Sequence, residues 1–224
     1  MPPLQSSQRG PQKRQSILEA ALLVFAHDGY SRASIDAIAS RAATSTRTIY
    51  KYFPTKQDLF RAVIELSSAR IAERHLALIR DHLSPPTAPA EGLTAFARAI
   101  VGLGDADDAG EWRVHEALLR HLNADLDNLP EDLVSTWLDT GPRPVAAALA
   151  ARLQHWADTG ELTLTDPDLA VALFGRLITP RALPGDSPAD LEDCERWVSA
   201  AIDVFLHGYS PTGKPANQGG AHDA

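Results

Sequence analysis

Apolar residues recur along this chain three and four positions apart. No stretch alternates convincingly with a period of two, so the spacing predicts helices throughout. The first runs over 12–28. Ile17, Leu18, Ala21, Leu22, Val24 and Phe25 form its inward stripe, and Gly29 stands where a left-handed C-terminal cap belongs. A second, short helix follows Ser34, an N-capping residue with Asp36 in the first turn. It points Ile35 and Ile38 inward and ends near Arg41. Beyond the turn Ala42–Ala43–Thr44, Ser45 caps a third short helix that reaches about Tyr52 and is stopped by Pro54. Thr55 and Asp58 form a capping box that opens a long fourth helix. It carries Leu59, Phe60, Val63, Ile64, Leu66, Ile71, Leu76 and Ile79 and ends before Pro85–Pro86.

The periodicity continues near 91–103, 111–122, 130–139 and 142–159. Asp166-Pro167 and Ser187-Pro188 each set a capping residue before a proline at the first helical position, which predicts helices over 167–178 and 188–208. The fold class is therefore all-α: an N-terminal three-helix helix-turn-helix domain and a C-terminal helical bundle, about nine or ten helices in all.

Composition narrows the function classes. The chain has 224 residues, 44% hydrophobic and 22% charged, enough for a core of its own. A single cysteine, Cys194, excludes a disulfide within the chain and any multi-cysteine metal or iron–sulfur site. No apolar run approaches the roughly 20 residues of a membrane span. Met1–Gly10 lacks the apolar centre of a secretory signal, so a soluble, cytoplasmic protein is expected.

The net charge of −8 argues against a polyanion partner until its distribution is read. Residues 1–61 hold nine Lys/Arg and four Asp/Glu, a net +5, which leaves −13 for the remainder. A basic head on an acidic body confines any nucleic-acid contact to the head. There, two short helices joined by a tight turn and backed by a third have the layout of a helix-turn-helix, whose second helix enters the major groove. In that helix Ile49 and Phe53 face the core. Thr46, Arg47, Thr48, Tyr50 and Lys51 are left to face outward. An arginine such as Arg47 reads guanine bidentately, discriminating by about 1–3 kcal/mol. Thr46 and Thr48 suit base edges or a thymine methyl, and Tyr50, Lys51 and Tyr52 suit phosphates. Lys56 opposes its own helix dipole, a penalty that a phosphate would reverse, and the helix start at Ser34 offers backbone N–H groups to another. Ser45 completes the set of candidate DNA-binding residues.

The same residues carry a family resemblance. Ile17-Leu18-Glu19-Ala20-Ala21, Phe25, Gly29, Ser34-Ile35-Asp36-Ala37-Ile38-Ala39, Ala42 to Ser45, and above all Thr48-Ile49-Tyr50-Lys51-Tyr52-Phe53-Pro54-Thr55-Lys56-Gln57-Asp58-Leu59-Phe60 make residues 13–60 similar to the N-terminal domain of TetR/AcrR-type transcriptional regulators. One departure stands in the turn. Ala43-Thr44 replaces the usual Gly-Val, placing a Cβ where a positive φ is favoured. The resemblance implies a homodimer on palindromic operator DNA, a repressor released by a small molecule bound in the C-terminal domain. It divides the chain into a disordered arm (1–11), the helix-turn-helix domain (12–55), a ligand-binding and dimerisation domain (56–209) and a disordered tail (210–224).

The last two helices support a dimer, because each is apolar over too much of its circumference for one partner. Leu169, Leu173, Phe174, Leu177, Trp197, Val198, Ala201, Val204 and Phe205 are the candidate interface. A hydrophobic or aromatic effector would be lined by Phe96, Ile100, Trp112, His115, Leu119, Trp137, Trp156 and Phe174, with Arg113, His155 and Arg176 as polar anchors. On this reading the fourth helix is the only rigid link from pocket to head, and ligand acts by tilting it.

Other chemistry is weaker. Glu111 and His115 lie one turn apart, but His121 does not share their face, so no metal is expected. Cys194 sits among Glu192, Asp193 and Glu195, which hold a thiol unreactive. No nucleophile elbow, phosphate loop or dinucleotide fingerprint occurs, and no cofactor is expected. An enzyme would have to assemble distant residues such as His115, Asp139 and His155. A helical adaptor without DNA affinity would be indifferent to loss of the Arg47 and Lys51 charges.

Overall fold

A computed structural model describes residues 9–84, 86–102, 109–124, 129–179 and 191–209. Within them the helices are α1 (Arg9–Arg32), α2 (Ile35–Arg41), α3 (Thr46–Tyr52), α4 (Lys56–Leu83), α5 (Pro89–Ile100), α6 (Ala109–Ala124), α7 (Glu131–Thr140), α8 (Pro142–Asp158), α9 (Pro167–Ile178) and α10 (Leu191–Tyr209). No strand occurs among the described residues, and the fold is all-α with an N-terminal helix-turn-helix. Residues 1–8 of the expected arm, the tail 210–224 and the Ser187-Pro188 helix start lie outside the described residues.

Two expectations about α1 need correction. Arg9, Gly10 and Pro11 belong to the helix rather than to the arm. Proline is tolerated in a first turn, where its missing N–H would have had no intrahelical partner. At the other end the helix breaks at Gly29 as expected, but the glycine is not in the left-handed helical conformation of a cap and a further turn follows it. That residue adopts φ 73°, ψ 168°, a region essentially reserved for glycine, and kinks the chain into one more turn that ends at Arg32.

The chain packs as two compact units. The first comprises Met1–Arg74 and Asp107–Pro144, the second His75–Ala106 and Val145–Ala224. In the first, Ile17, Phe25, Ile38, Ile49, Leu59 and Ile64 meet Leu118 and Leu122 of α6 and Leu133 of α7 in one buried cluster. Phe25, Tyr30 and Phe60 form an aromatic group, with Phe25 edge-on to Phe60 at 4.9 Å. In the second, Leu83, Phe96, Leu153, Trp156, Phe174 and Phe205 build the core, and α10 packs on α5 and α9. The fully buried Trp156 donates its indole N–H to the Thr87 carbonyl at 3.3 Å.

These units are drawn by packing and cut the chain differently from the expected domains 12–55 and 56–209. The apolar stripe of α1 is wider than α2 and α3 can cover, and α6 lies along it, so α6 and α7 pack with the N-terminal helices. By residue, α4 belongs to both units, with Lys56–Arg74 in the first and His75–Leu83 in the second.

Candidate nucleic-acid interface

Side-chain caps three residues apart set the starts of α2, α3 and α4. Ser34 Oγ accepts from the Ala37 N–H at 3.1 Å. Ser45 Oγ accepts from the Thr48 N–H at 3.2 Å and pairs with Thr48 Oγ1 at 2.9 Å. Thr55 and Asp58 cap each other: the Asp58 N–H donates to Thr55 Oγ1 at 3.0 Å and the Thr55 N–H to Asp58 Oδ2 at 3.1 Å. Each such cap contributes about 1 kcal/mol.

With its start fixed, α3 sorts its side chains. Ile49 is fully buried and Phe53, just beyond the helix, nearly so; the Arg14 guanidinium lies 5.2 Å from the Phe53 ring centre. Arg47, Tyr50 and Lys51 are exposed at positions i, i+3 and i+4, one continuous outward face. Thr46 is half-buried. Thr48 spends its hydroxyl on the Ser45 cap, and Tyr52 is half-buried against the core of the unit rather than on the outward face. Arg47, Tyr50 and Lys51 are therefore the cluster that the fold presents, one guanidinium, one ammonium and one phenol.

The turn before α3 is a Schellman cap on α2. The Thr44 N–H reaches the Ala39 carbonyl at 2.9 Å, and the Ala43 N–H reaches the Ser40 carbonyl at 3.2 Å. Ala43 takes φ +45°, the left-handed conformation that glycine would adopt freely and that costs an alanine about 1–2 kcal/mol. Lys56 is half-buried at the start of α4. Its ammonium sits 4.7 Å from the Tyr30 ring centre and donates to the Ser31 carbonyl at 3.4 Å. Burial holds its pKa below the usual lysine value.

In the second unit, Leu169, Leu173, Trp197 and Val204 are exposed by 42–61%, an apolar face shared by α9 and α10. The Trp197 indole donates to the Leu177 carbonyl at 2.7 Å and ties the two helices together. Of the nine candidate interface residues, Phe174, Val198, Ala201 and Phe205 are instead buried in their own protomer, and Leu177 packs against that core. On each helix one apolar side fills the core while another is left exposed.

Residues 91–211 match the family described as "AefR-like transcriptional repressor, C-terminal domain", and residues 17–63 match "Bacterial regulatory proteins, tetR family". The chain belongs to the TetR family. It is 27% identical over 176 residues to the HTH-type transcriptional repressor AcnR of Corynebacterium diphtheriae, across 71% of this chain and 90% of that protein. It is likewise 27% identical over 191 residues to the HTH-type transcriptional regulator UidR of Escherichia coli, across 84% and 87%. A crystal structure of a TetR-family transcriptional regulator from Mesorhizobium loti superposes with a TM-score of 0.75 at 26% identity, covering 90% of this chain and 98% of that one. The protein is thus a DNA-binding transcriptional regulator of a ligand-responsive family.

The effector residues expected of a TetR-family body divide between the two units. Phe96, Trp156 and Phe174 share the second core, with Phe96 and Phe174 stacked at 6.2 Å and Ile100 packed beside them; His155 and Arg176 are exposed. Trp112, Arg113, His115, Leu119 and Trp137 belong to the first unit, where Arg113 is exposed. His115 is buried and its Nδ1 lies 2.9 Å from Ser67 Oγ of α4. The Arg74 guanidinium lies 5.1 Å from the Trp112 ring centre and 3.8 Å from Glu116. Of the helices that carry these residues, α6 packs directly on α1.

Two residues in contact with the candidate sites escape sequence reasoning. Lys13 binds the carbonyls of the helix-turn-helix turn, and Ser67 is the hydroxyl partner of His115. They act across 29 to 48 residues, beyond any local pattern. The only hint was a lysine one turn before the apolar stripe and a serine pair within an apolar helix. No group of three or more His, Cys, Asp or Glu is placed to hold a metal among the described residues, and no described helix is long and apolar enough to cross a membrane.

Proposed function

We propose that this chain is a homodimeric repressor that occupies a palindromic operator and leaves it when a hydrophobic or aromatic small molecule binds. One observation carries the reading: the outward face of Arg47, Tyr50 and Lys51 on α3, opposite the buried Ile49. Arg47 reads a guanine edge, Thr46 adds a base contact, and Tyr50 and Lys51 take phosphates. Thr48 and Tyr52 contribute through their caps and packing, and their direct contacts come from the edges that remain free. The N-termini of α2 and α3, behind Ser34 and Ser45, take phosphate oxygens. Lys56, whose charge is disfavoured by burial, gains from a phosphate beside it.

The apolar face of Leu169, Leu173, Trp197 and Val204 supports a dimer made by pairing α9 and α10 with their symmetry mates. Two-fold symmetry then offers two copies of α3 to half-sites about 34–36 Å apart, or a multiple of that spacing. Effector binding acts on the head by two routes. One is α4, which carries residues of both units; the other is α6, which lies on α1 and bears His115 and Leu119.

The test couples two titrations on the full-length protein. A panel of aromatic compounds is screened by thermal shift, and each stabilising compound is added to the complex with a duplex selected from a random pool. Linkage requires that a releasing ligand bind the DNA-free form more tightly, and that operator DNA weaken that ligand by the same factor. Saturating ligand with operator affinity unchanged contradicts the mechanism.

A further inference from the structure

We infer that Lys13 is a positioning residue for DNA recognition: it clamps the strained turn that sets α3. The inference rests on the DNA-binding reading, but the clamp itself is observable without DNA. The Schellman bonds satisfy the Ala39 and Ser40 carbonyls of α2 and leave the next carbonyls of the turn without a partner from the motif. The Lys13 ammonium, arriving from α1, donates to Ala42 O at 3.2 Å and to Ala43 O at 3.1 Å. It sets a positive charge at the negative end of the α2 dipole and holds both carbonyls flanking the left-handed residue.

The sequence explains why a clamp is needed here. A glycine at position 43 would take φ +45° without strain. Alanine resists it, and an unheld turn relaxes toward negative φ, which redirects the chain as it enters Ser45. Ser45, the N-cap of α3, lies two residues past Ala43, so a change in the turn is delivered to the helix axis and to the Arg47–Tyr50–Lys51 face. Lys13 and Ala43 are thus a matched pair: the tether offsets the missing glycine.

The experiment compares wild type, Lys13→Met, Lys13→Arg, Ala43→Gly and the Lys13→Met/Ala43→Gly double variant, all full-length. Amide hydrogen exchange of residues 42–45 is followed first. Lys13→Met is expected to speed exchange at the Ala43 and Thr44 amides, Lys13→Arg to leave it near wild type, and Ala43→Gly in the Lys13→Met background to restore protection. Affinity for the duplex selected from a random pool is then measured against salt. Lys13→Met is expected to lose about tenfold in specific affinity with the salt slope unchanged, and the double variant to recover most of it.

Three results overturn the clamp: unchanged exchange in Lys13→Met, no rescue by Ala43→Gly, or a salt slope reduced by about one, which marks Lys13 as a phosphate contact. Absence of any selected duplex with wild-type protein refutes the DNA-binding reading instead, and the exchange data still decide the clamp.

Discussion

The helix-turn-helix end of this molecule and its α9–α10 end are built by different rules. At the first, helix starts are fixed by pairs three residues apart: Ser34 with Ala37, Ser45 with Thr48, Thr55 with Asp58. Among the described residues of the second, Asp166 accepts from the Leu169 N–H at 2.9 Å and opens α9 in the same way. The rest is held by aromatic packing between distant segments, such as Phe174 against Phe205 at 5.2 Å. Local hydrogen bonds fix the helix starts of a reading surface that rests on its own core of Ile17, Phe25, Ile49 and Phe60. Long-range apolar contacts define faces whose partner depends on the whole assembly. The head suits a constant task, presenting α3 to DNA, whereas a body made of shared apolar faces suits tasks that involve a second molecule.

The strongest way to break this contrast is to damage one core and watch the other. Ile49→Ala removes the fully buried anchor of α3 and is expected to cost about 2–5 kcal/mol. Segment-resolved hydrogen exchange should accelerate in α2 and α3 while α9 and α10 keep their protection. Uniform acceleration would show that the ends do not fold with separate stabilities.

Next in size, Leu173→Glu places a charge in the centre of the exposed α9–α10 face. Sedimentation should then report a monomer, and operator affinity should fall about 100-fold or more as the avidity of two heads is lost. A dimer that persists would put the interface elsewhere.

Two smaller substitutions sharpen the division inside the head. Arg47→Ala should lose about 1–3 kcal/mol and relax base preference at one position of each half-site. Lys56→Ala should weaken all sequences alike and reduce the salt slope by about one. Equal loss of selectivity in both variants would contradict the roles given to them. The smallest effect concerns Arg61 and Asp132, 2.5 Å apart between α4 and α7. The Arg61 hydrogen bond holds the Asp132 carboxyl below its ordinary pKa. Its contribution is therefore present above the unfolded value of about 4 and is lost as pH falls through the folded one. Denaturant titrations of Asp132→Asn and wild type should differ at neutral pH and converge in acid.

The fold was largely legible in the sequence because helix starts are short-range events. Asp166-Pro167 gave the start of α9, and Ser45 gave the start of α3, each to the residue. Helix ends were less so. Gly29 showed where α1 departs from helical geometry, but nothing local said that another turn follows. Within the site, Ile49 and Phe53 declared their inward face by spacing, and Arg47, Tyr50 and Lys51 followed by exclusion. Periodicity states that a helix has an apolar stripe and is silent on what covers it. That is why spacing alone does not reveal that α6 and α7 pack on the N-terminal helices, or that Phe174 and Phe205 fill a core. Lys13 lay beyond reach for the same reason, since its partners are 29 and 30 residues away.

The most direct test of the central claim is selection of bound sequences from a random duplex pool with the purified full-length protein at a fixed, stated salt concentration. The account predicts an enriched palindrome whose half-sites lie about one helical turn apart, or a multiple of that, with the preference at one position of each half-site relaxed in Arg47→Ala. Weak, salt-sensitive binding with no enriched sequence, or an enriched site without two-fold symmetry, would contradict it.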